Sequence, residues 1–140
     1  MDALDQQLIS ILRADARTSV ATLAHRLKVS RGTITNRITR LEDQGIIVGY
    51  TVRLRPDAQQ NEIRAWMSIV VEGNETRAVI ANLLGEPGVA ALHDTNGRWD
   101  LLAELRAENL TELSSILERI RLIKGIHTSE TSIHLATYRA

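Results

Sequence analysis

Residues 30–45 read Ser30-Arg31-Gly32-Thr33-Ile34-Thr35-Asn36-Arg37-Ile38-Thr39-Arg40-Leu41-Glu42-Asp43-Gln44-Gly45. Ile34, Ile38 and Leu41 recur at i, i+4 and i+7, the spacing of a buried stripe on an amphipathic helix. Ser30 is a good N-cap, and Gly45 stands where a helix stop belongs. The pattern predicts a helix capped by Ser30 and running to about Gln44. At about 100° per residue, Gly32, Thr33, Asn36, Thr39 and Arg40 point away from the stripe, with Arg31 and Arg37 on its flanks. That face offers three arginines, an amide and small hydroxyls, and no carboxylate before Glu42. Arginine can donate two bonds to guanine, and asparagine can pair at two points with adenine. Gly32 and Thr33 allow close approach, while Ser30 and the first-turn amides suit a phosphate. A merely solvated helix could have the same composition, so its neighbours decide.

Upstream, Leu4, Leu8, Ile11 and Leu12 predict a helix from Leu4 to Ala14, with Asp5 placed to suit the helix dipole. Ser19 caps a second helix whose inner face is Val20, Leu23, Ala24 and Leu27. Lys28-Val29-Ser30 is a short link, so the second and third helices form a helix-turn-helix. Downstream, Ile46 to Arg55 is β-rich with Gly49 in its middle and ends at Pro56. It reads as a strand pair, or a strand leaving the helices, with Arg53 and Arg55 on one side. Such a basic wing would flank base contacts with phosphate contacts. The expectation is a winged helix-turn-helix over residues 1–56 whose partner is double-stranded DNA. Its candidate contacts are Ser30, Arg31, Gly32, Thr33, Asn36, Arg37, Arg40 and Arg53.

The charge distribution agrees. Up to Pro56 there are nine Lys/Arg against five Asp/Glu, and beyond it eight against twelve, although the 140-residue chain is neutral overall. A basic first part beside an acidic second part places any polyanion on the first. With 44% hydrophobic and 24% charged residues the composition is that of a soluble globular protein. No apolar run is long enough to span a bilayer and no signal peptide is visible, so a cytoplasmic protein with no membrane partner is expected. The absence of cysteine excludes disulfides, thiolate metal sites and cysteine nucleophiles.

After a polar stretch, Asp57 to Glu62, a second pattern begins. Arg64–Val71 reads as a strand and Thr76–Leu84 as a helix stopped by Gly85. Gly88–Asp94 and Trp99–Leu105 follow as strands, then a helix from Leu110 to Ile123, where Asn109 and Glu112 have capping-box spacing. Ile126–Leu135 closes the domain. The order β-α-β-β-α-β is that of the ferredoxin-like fold, so the chain is α+β, with residues 57–140 as a second domain. A four-stranded sheet with both helices on one face leaves the other bare. A second copy covers it most economically, so a homodimer on symmetric half-sites is expected.

Several strings resemble the Lrp/AsnC family of leucine-responsive and feast/famine regulators, over nearly the whole chain. They are Leu4-Asp5, Arg17, Leu23-Ala24, Ser30, Arg37, Leu41-Glu42, Gly45-Ile46-Ile47 and Gly49-Tyr50-Thr51. The second part adds Pro87-Gly88-Val89, Gly97-Arg98-Trp99-Asp100-Leu101-Leu102, Gly125-Ile126 and Thr131-Ser132. The resemblance implies a transcription regulator whose second domain, of the type called RAM, senses amino acids. It also implies a homodimer that assembles further, to an octamer. The effector site it implies lies between dimers, around the loop Thr95, Asn96, Gly97, Arg98, Trp99 and Asp100, with Thr131 and Ser132 lining it. Asp100 could take an α-ammonium, and amides near Gly97 an α-carboxylate. The plainer alternative is that Gly97 permits a tight turn and Asp100 orders it.

No enzyme motif competes. The four histidines lack metal-ligand spacing, and neither a phosphate-binding loop nor a nucleophile motif occurs. No cofactor and no metal are expected beyond an amino-acid effector. A protein-binding helix would show exposed apolar anchors where the third helix shows arginines.

Overall fold

Each helix of the first part begins on a side-chain cap. In α1, Ala3–Ala14, the Asp2 carboxylate accepts from the Asp5 amide while Asp5 reaches back to the Asp2 amide, a reciprocal capping box. Ser19 opens α2, Val20–Leu27, by accepting from the Thr22 amide, and Ser30 opens α3, Arg31–Asp43, by accepting from the Thr33 amide. The computed structural model describes residues 1–58 and 62–139 and divides into two compact units, Met1–Arg53 and Leu54–Ala140. Gln59, Gln60 and Asn61 of the expected linker lie outside the described residues.

The three helices of the first unit enclose Leu8, Leu23, Ala24, Ile34 and Leu41, with Ile11, Leu12, Val20, Leu27 and Ile38 packed around them. Burying each large aliphatic side chain contributes about 1.5–3 kcal/mol, which makes so short a bundle viable. Between α2 and α3 the chain turns on Lys28, held in the left-handed region at φ 58°, and the Val29 amide returns to the Ala24 carbonyl. This tight turn sets the crossing of α3 over α2.

The expected wing does not form within the chain. Gly45, at φ 69°, ends α3, and the Ile46 and Ile47 amides both return to the Leu41 carbonyl. From Val48 to Arg55 there is no strand. The residue types are right for β structure, but a strand also needs a hydrogen-bonded neighbour, and none is supplied here. Ile46, Val48, Tyr50, Val52 and Leu54 are consequently exposed at alternate positions.

In the second unit β1 (Ile63–Val71), α4 (Thr76–Leu84), β2 (Val89–Asp94), β3 (Leu101–Ala107), α5 (Leu110–Arg121) and β4 (Ile126–Ile133) follow in the expected sequence. The sheet is antiparallel with order β2-β3-β1-β4. Ala65, Met67, Ile69, Leu101, Ala103 and Leu105 alternate along β1 and β3 and meet Val79, Leu83, Leu113, Ile116 and Ile120 of the helices in one core. Their in-between neighbours, among them Trp66, Ser68, Leu102 and Glu104, occupy the opposite face, which no element of this unit covers among the described residues. The third strand starts at Leu101 and not at Trp99, because Thr95 to Asp100 close a loop. In it the Thr95 amide donates to the Asp100 carbonyl at 3.1 Å and the Thr95 hydroxyl donates to the Trp99 carbonyl.

Two glycines are fixed by packing. A Cβ on Gly88 would lie 2.4 Å from Ile116 Cδ1, so β2 and α5 could not approach as they do. Gly125 adopts φ 101°, and a Cβ there would meet Glu75 Cβ at 2.5 Å.

Candidate nucleic-acid interface

The outward surface of α3 is narrower than helical spacing alone suggests. Gly32, Asn36 and Thr39 are exposed along its middle, flanked by Arg31 and Thr35 on one side and by Arg40 on the other. Thr35, not among the expected contacts, is exposed one turn from Arg31; its small hydroxyl gave no signal in the hydrophobic pattern. Thr33 is half-buried, and its hydroxyl shares a 2.8 Å bond with Ser30. Ser30 thus spends its oxygen on the cap, while its hydroxyl group stays at the exposed mouth of the helix. The same Ser/Thr pairing opens α2, where Ser19 and Thr22 lie 2.9 Å apart.

Arg37 departs most from its expected place. Its guanidinium turns back to α1, bonding the Asp2 carboxylate and, at 3.2 Å, Asp5 Oδ1. Arg40 gives one nitrogen to Asp5 Oδ2 at 2.9 Å, yet its side chain remains 48% exposed. Asp5 is itself 1% exposed, so a buried carboxylate anchors both arginines. The bond from Arg37 is the main reason the Asp2 carboxyl is lowered to about 2, and the Asp5 amide adds to it. Among the described residues Arg31 makes no ion pair, so it is the arginine of α3 not held by a carboxylate. Arg53 is exposed on the extended segment beyond the helices.

In the second unit the six loop residues Thr95 to Asp100 lie together. Asp100 closes the end of β1: its Oδ2 accepts from the Val71 amide at 2.8 Å and its own amide donates to the Ile69 carbonyl at 2.9 Å. Arg98 lies over the Trp99 ring at 5.5 Å, a cation–π contact. A Cβ on Gly97 would meet nothing within 4 Å and its φ is unexceptional, so no steric demand fixes a glycine there. Thr131 pairs with Met67 and Ser132 with Trp66, four or more residues along β1 from the Val71 end. The loop meets β1 from the β3 side, at Ile69 and Val71, whereas Thr131 and Ser132 lie on β4 along the other edge of β1. As adjacent strand residues they also face opposite sides of the sheet. One copy of the chain does not bring the loop and this pair into a single pocket.

Two family models match the chain. The AsnC-type helix-turn-helix domain covers residues 1–42 and the Lrp/AsnC ligand binding domain covers residues 64–140. This chain belongs to the Lrp/AsnC family. An HTH-type transcriptional regulator of Pyrococcus horikoshii is 30% identical over 96% of the chain and 91% of its own length. The regulator FL11 of Pyrococcus furiosus is 27% identical over 99% and 92%. Among solved structures, AsnC of Escherichia coli superposes with a TM-score of 0.79 at 25% identity, covering 100% of this chain and 95% of AsnC. A Neisseria meningitidis regulator in complex with L-methionine shares the fold, with a TM-score of 0.78 at 20% identity over 100% and 93% of the two chains. As an Lrp/AsnC protein the chain is a helix-turn-helix transcription regulator, not an enzyme. No helix among its described residues is long and apolar enough to cross a membrane.

Proposed function

We infer that this regulator reads a specific DNA sequence with the first turns of α3 and is modulated by an amino acid, or a related small metabolite, bound where copies of the second unit meet. The carrying observation is the exposed run of Arg31, Gly32, Asn36 and Thr39 on a helix whose N-terminus is open and capped by Ser30. Arg31 and Asn36 are the base-reading candidates, and Gly32 keeps the backbone near the groove floor. Ser30, Thr33, Arg40 and Arg53 serve as phosphate contacts around them.

The second unit supports the remainder of the reading. The uncovered sheet face around Trp66 and Leu102 favours a homodimer, and the separation of Thr95–Asp100 from Thr131 and Ser132 favours a pocket completed by further copies, as in an octamer. The methionine complex of the Neisseria protein supports an amino acid as the effector class. The test is fluorescence anisotropy of the full chain on duplex from upstream of its own gene, titrated with salt and then with each amino acid. Steep loss of binding with salt, and a shift caused by one or a few amino acids, is expected. Failure to bind that duplex or random duplex at low salt would overturn the DNA reading. Binding that no amino acid alters would overturn the effector reading alone.

A further inference from the structure

The four charges where α1 meets α3 form one cluster. Asp5 is buried, and its two oxygens take Arg37 at 3.2 Å and Arg40 at 2.9 Å; Asp2 takes Arg37 from the outside. Two cations and two anions cancel, so the cluster projects little net charge toward a polyanion. Its members are unequal. Arg37 is 25% exposed and bonded to two carboxylates, whereas Arg40 is 48% exposed and gives Asp5 a single nitrogen. Arg40 therefore has guanidinium N–H groups left for another acceptor, and Arg37 has its charge matched on two sides.

Resting on the reading that α3 enters the major groove, we propose that Asp5 is a positioning residue for DNA recognition. Its buried carboxylate uses Arg37 as a strut that sets α3 against α1 and holds Arg40 at the angle from which its free edge meets a phosphate. Arg37 itself makes no DNA contact. A long, flexible arginine on an open helix would have to be ordered at the moment of binding, and that ordering opposes association. An arginine already held on a buried acceptor has lost that freedom in the free protein. The position of the phosphate contact sets the register in which Arg31 and Asn36 meet the bases.

Binding of the full-length protein to its own upstream duplex and to random duplex, each over a salt series, tests this. The variants are Arg37→Gln, Arg40→Gln and Asp5→Asn, used at temperatures where circular dichroism shows each folded. Arg40→Gln is expected to lower the slope of log affinity against log salt by about 0.9 for each protomer bound, the loss of one phosphate. Arg37→Gln is expected to leave that slope unchanged while lowering the melting temperature. Asp5→Asn keeps an acceptor oxygen but removes the charge that holds Arg40, while Arg37 keeps its bond to Asp2. Random-duplex affinity should then hold or rise, while the preference for the upstream duplex falls about tenfold.

A purely structural Asp5 would weaken both duplexes together and leave the preference intact, which would overturn the proposal. So would a slope lost on Arg37→Gln. If Asp5→Asn does not fold, Asp2→Asn is the second variant: Asp5 still holds both arginines, so slope and preference should match the wild type. A changed preference there would place the positioning on Asp2. Should the wild-type protein itself bind neither duplex, the DNA reading fails and the clamp with it; wild-type binding with the wrong variant pattern sinks the clamp alone.

Discussion

Asp100 already serves the fold, and the effector role proposed for it has to be separated from that one. Its Oδ2 accepts the Val71 amide, which leaves the other oxygen available to an ammonium group. Asp100→Ala would strip Val71 of its partner as well as removing the charge, so lost effector response in that variant would be ambiguous. Asp100→Asn retains an acceptor for Val71 and abolishes only the charge. We expect Asp100→Asn to keep its urea midpoint and its DNA affinity but lose the response to amino acids, and Asp100→Ala to lose stability as well, by about 0.5–1.5 kcal/mol. A normal amino-acid response in Asp100→Asn would confine Asp100 to ordering the loop. A second carboxylate carries a pH signature. Arg119 grips Glu86 through two bonds, 2.9 and 2.8 Å, and this holds the Glu86 carboxyl below its usual range. A depressed folded value stabilises the protein above the unfolded carboxyl pKa, and that stabilisation disappears as pH falls through the folded value. Glu86→Gln should therefore lower the urea midpoint at about pH 7, with the difference from wild type closing as pH falls through the lowered Glu86 value. The sequence did not disclose such partners. Asp5 read as a dipole match and Arg37 as a flank residue, because which carboxylate meets which arginine across more than thirty positions depends on how α1 crosses α3.

At the level of elements, caps and stripes were legible because they are local. Ser19, Ser30 and Asn109 each cap the helix they were expected to cap, and Gly45 ends α3 with a positive φ. The Asn109 side chain accepts from the Glu112 amide, although Glu112 reaches the Glu108 amide in place of the Asn109 one. The segment Ile46–Arg55 was misread for the opposite reason: β-propensity is local, but the partner that makes a strand is not. Helix ends can be probed through the twin Ser/Thr caps of α2 and α3. Ser19→Ala and Ser30→Ala remove equivalent bonds, so each should cost about 1 kcal/mol of stability. Only the cap of α3 sits at the proposed DNA contact. Ser30→Ala should accordingly weaken binding by more than its stability loss accounts for, while Ser19→Ala should bind nearly as wild type in the same anisotropy assay. Equal effects on binding would move the phosphate contact off Ser30.

On the scale of the molecule, the charge asymmetry and the two sequence patterns gave the two-part architecture, since each unit buries its own apolar stripe. Assembly was legible only as an incomplete surface. The helix-covered face of the sheet is closed by Met67, Ile69, Leu101, Leu105 and the helices, while Trp66 and Leu102 stand half-exposed on the other, next to Ser68 and Glu104. Trp66 and Leu102, with Val70 on the same face, are what a symmetric partner would bury, because in a two-fold interface each residue is used twice. Leu102→Arg places a charge on that face without touching the inner core, to which the neighbouring Leu101 and Ala103 belong. In a homodimer the two introduced arginines would face a shared apolar centre and be desolvated there, a penalty the isolated chain does not incur. Sedimentation should show the wild type as a dimer or larger and Leu102→Arg shifted toward monomer, with unchanged helical circular dichroism. DNA binding should weaken in parallel, because two linked half-sites gain from effective concentration and separated ones do not. An unshifted sedimentation coefficient would put the dimer on another surface, and the exposed apolar alternation from Ile46 to Leu54 is the next face to challenge in the same way.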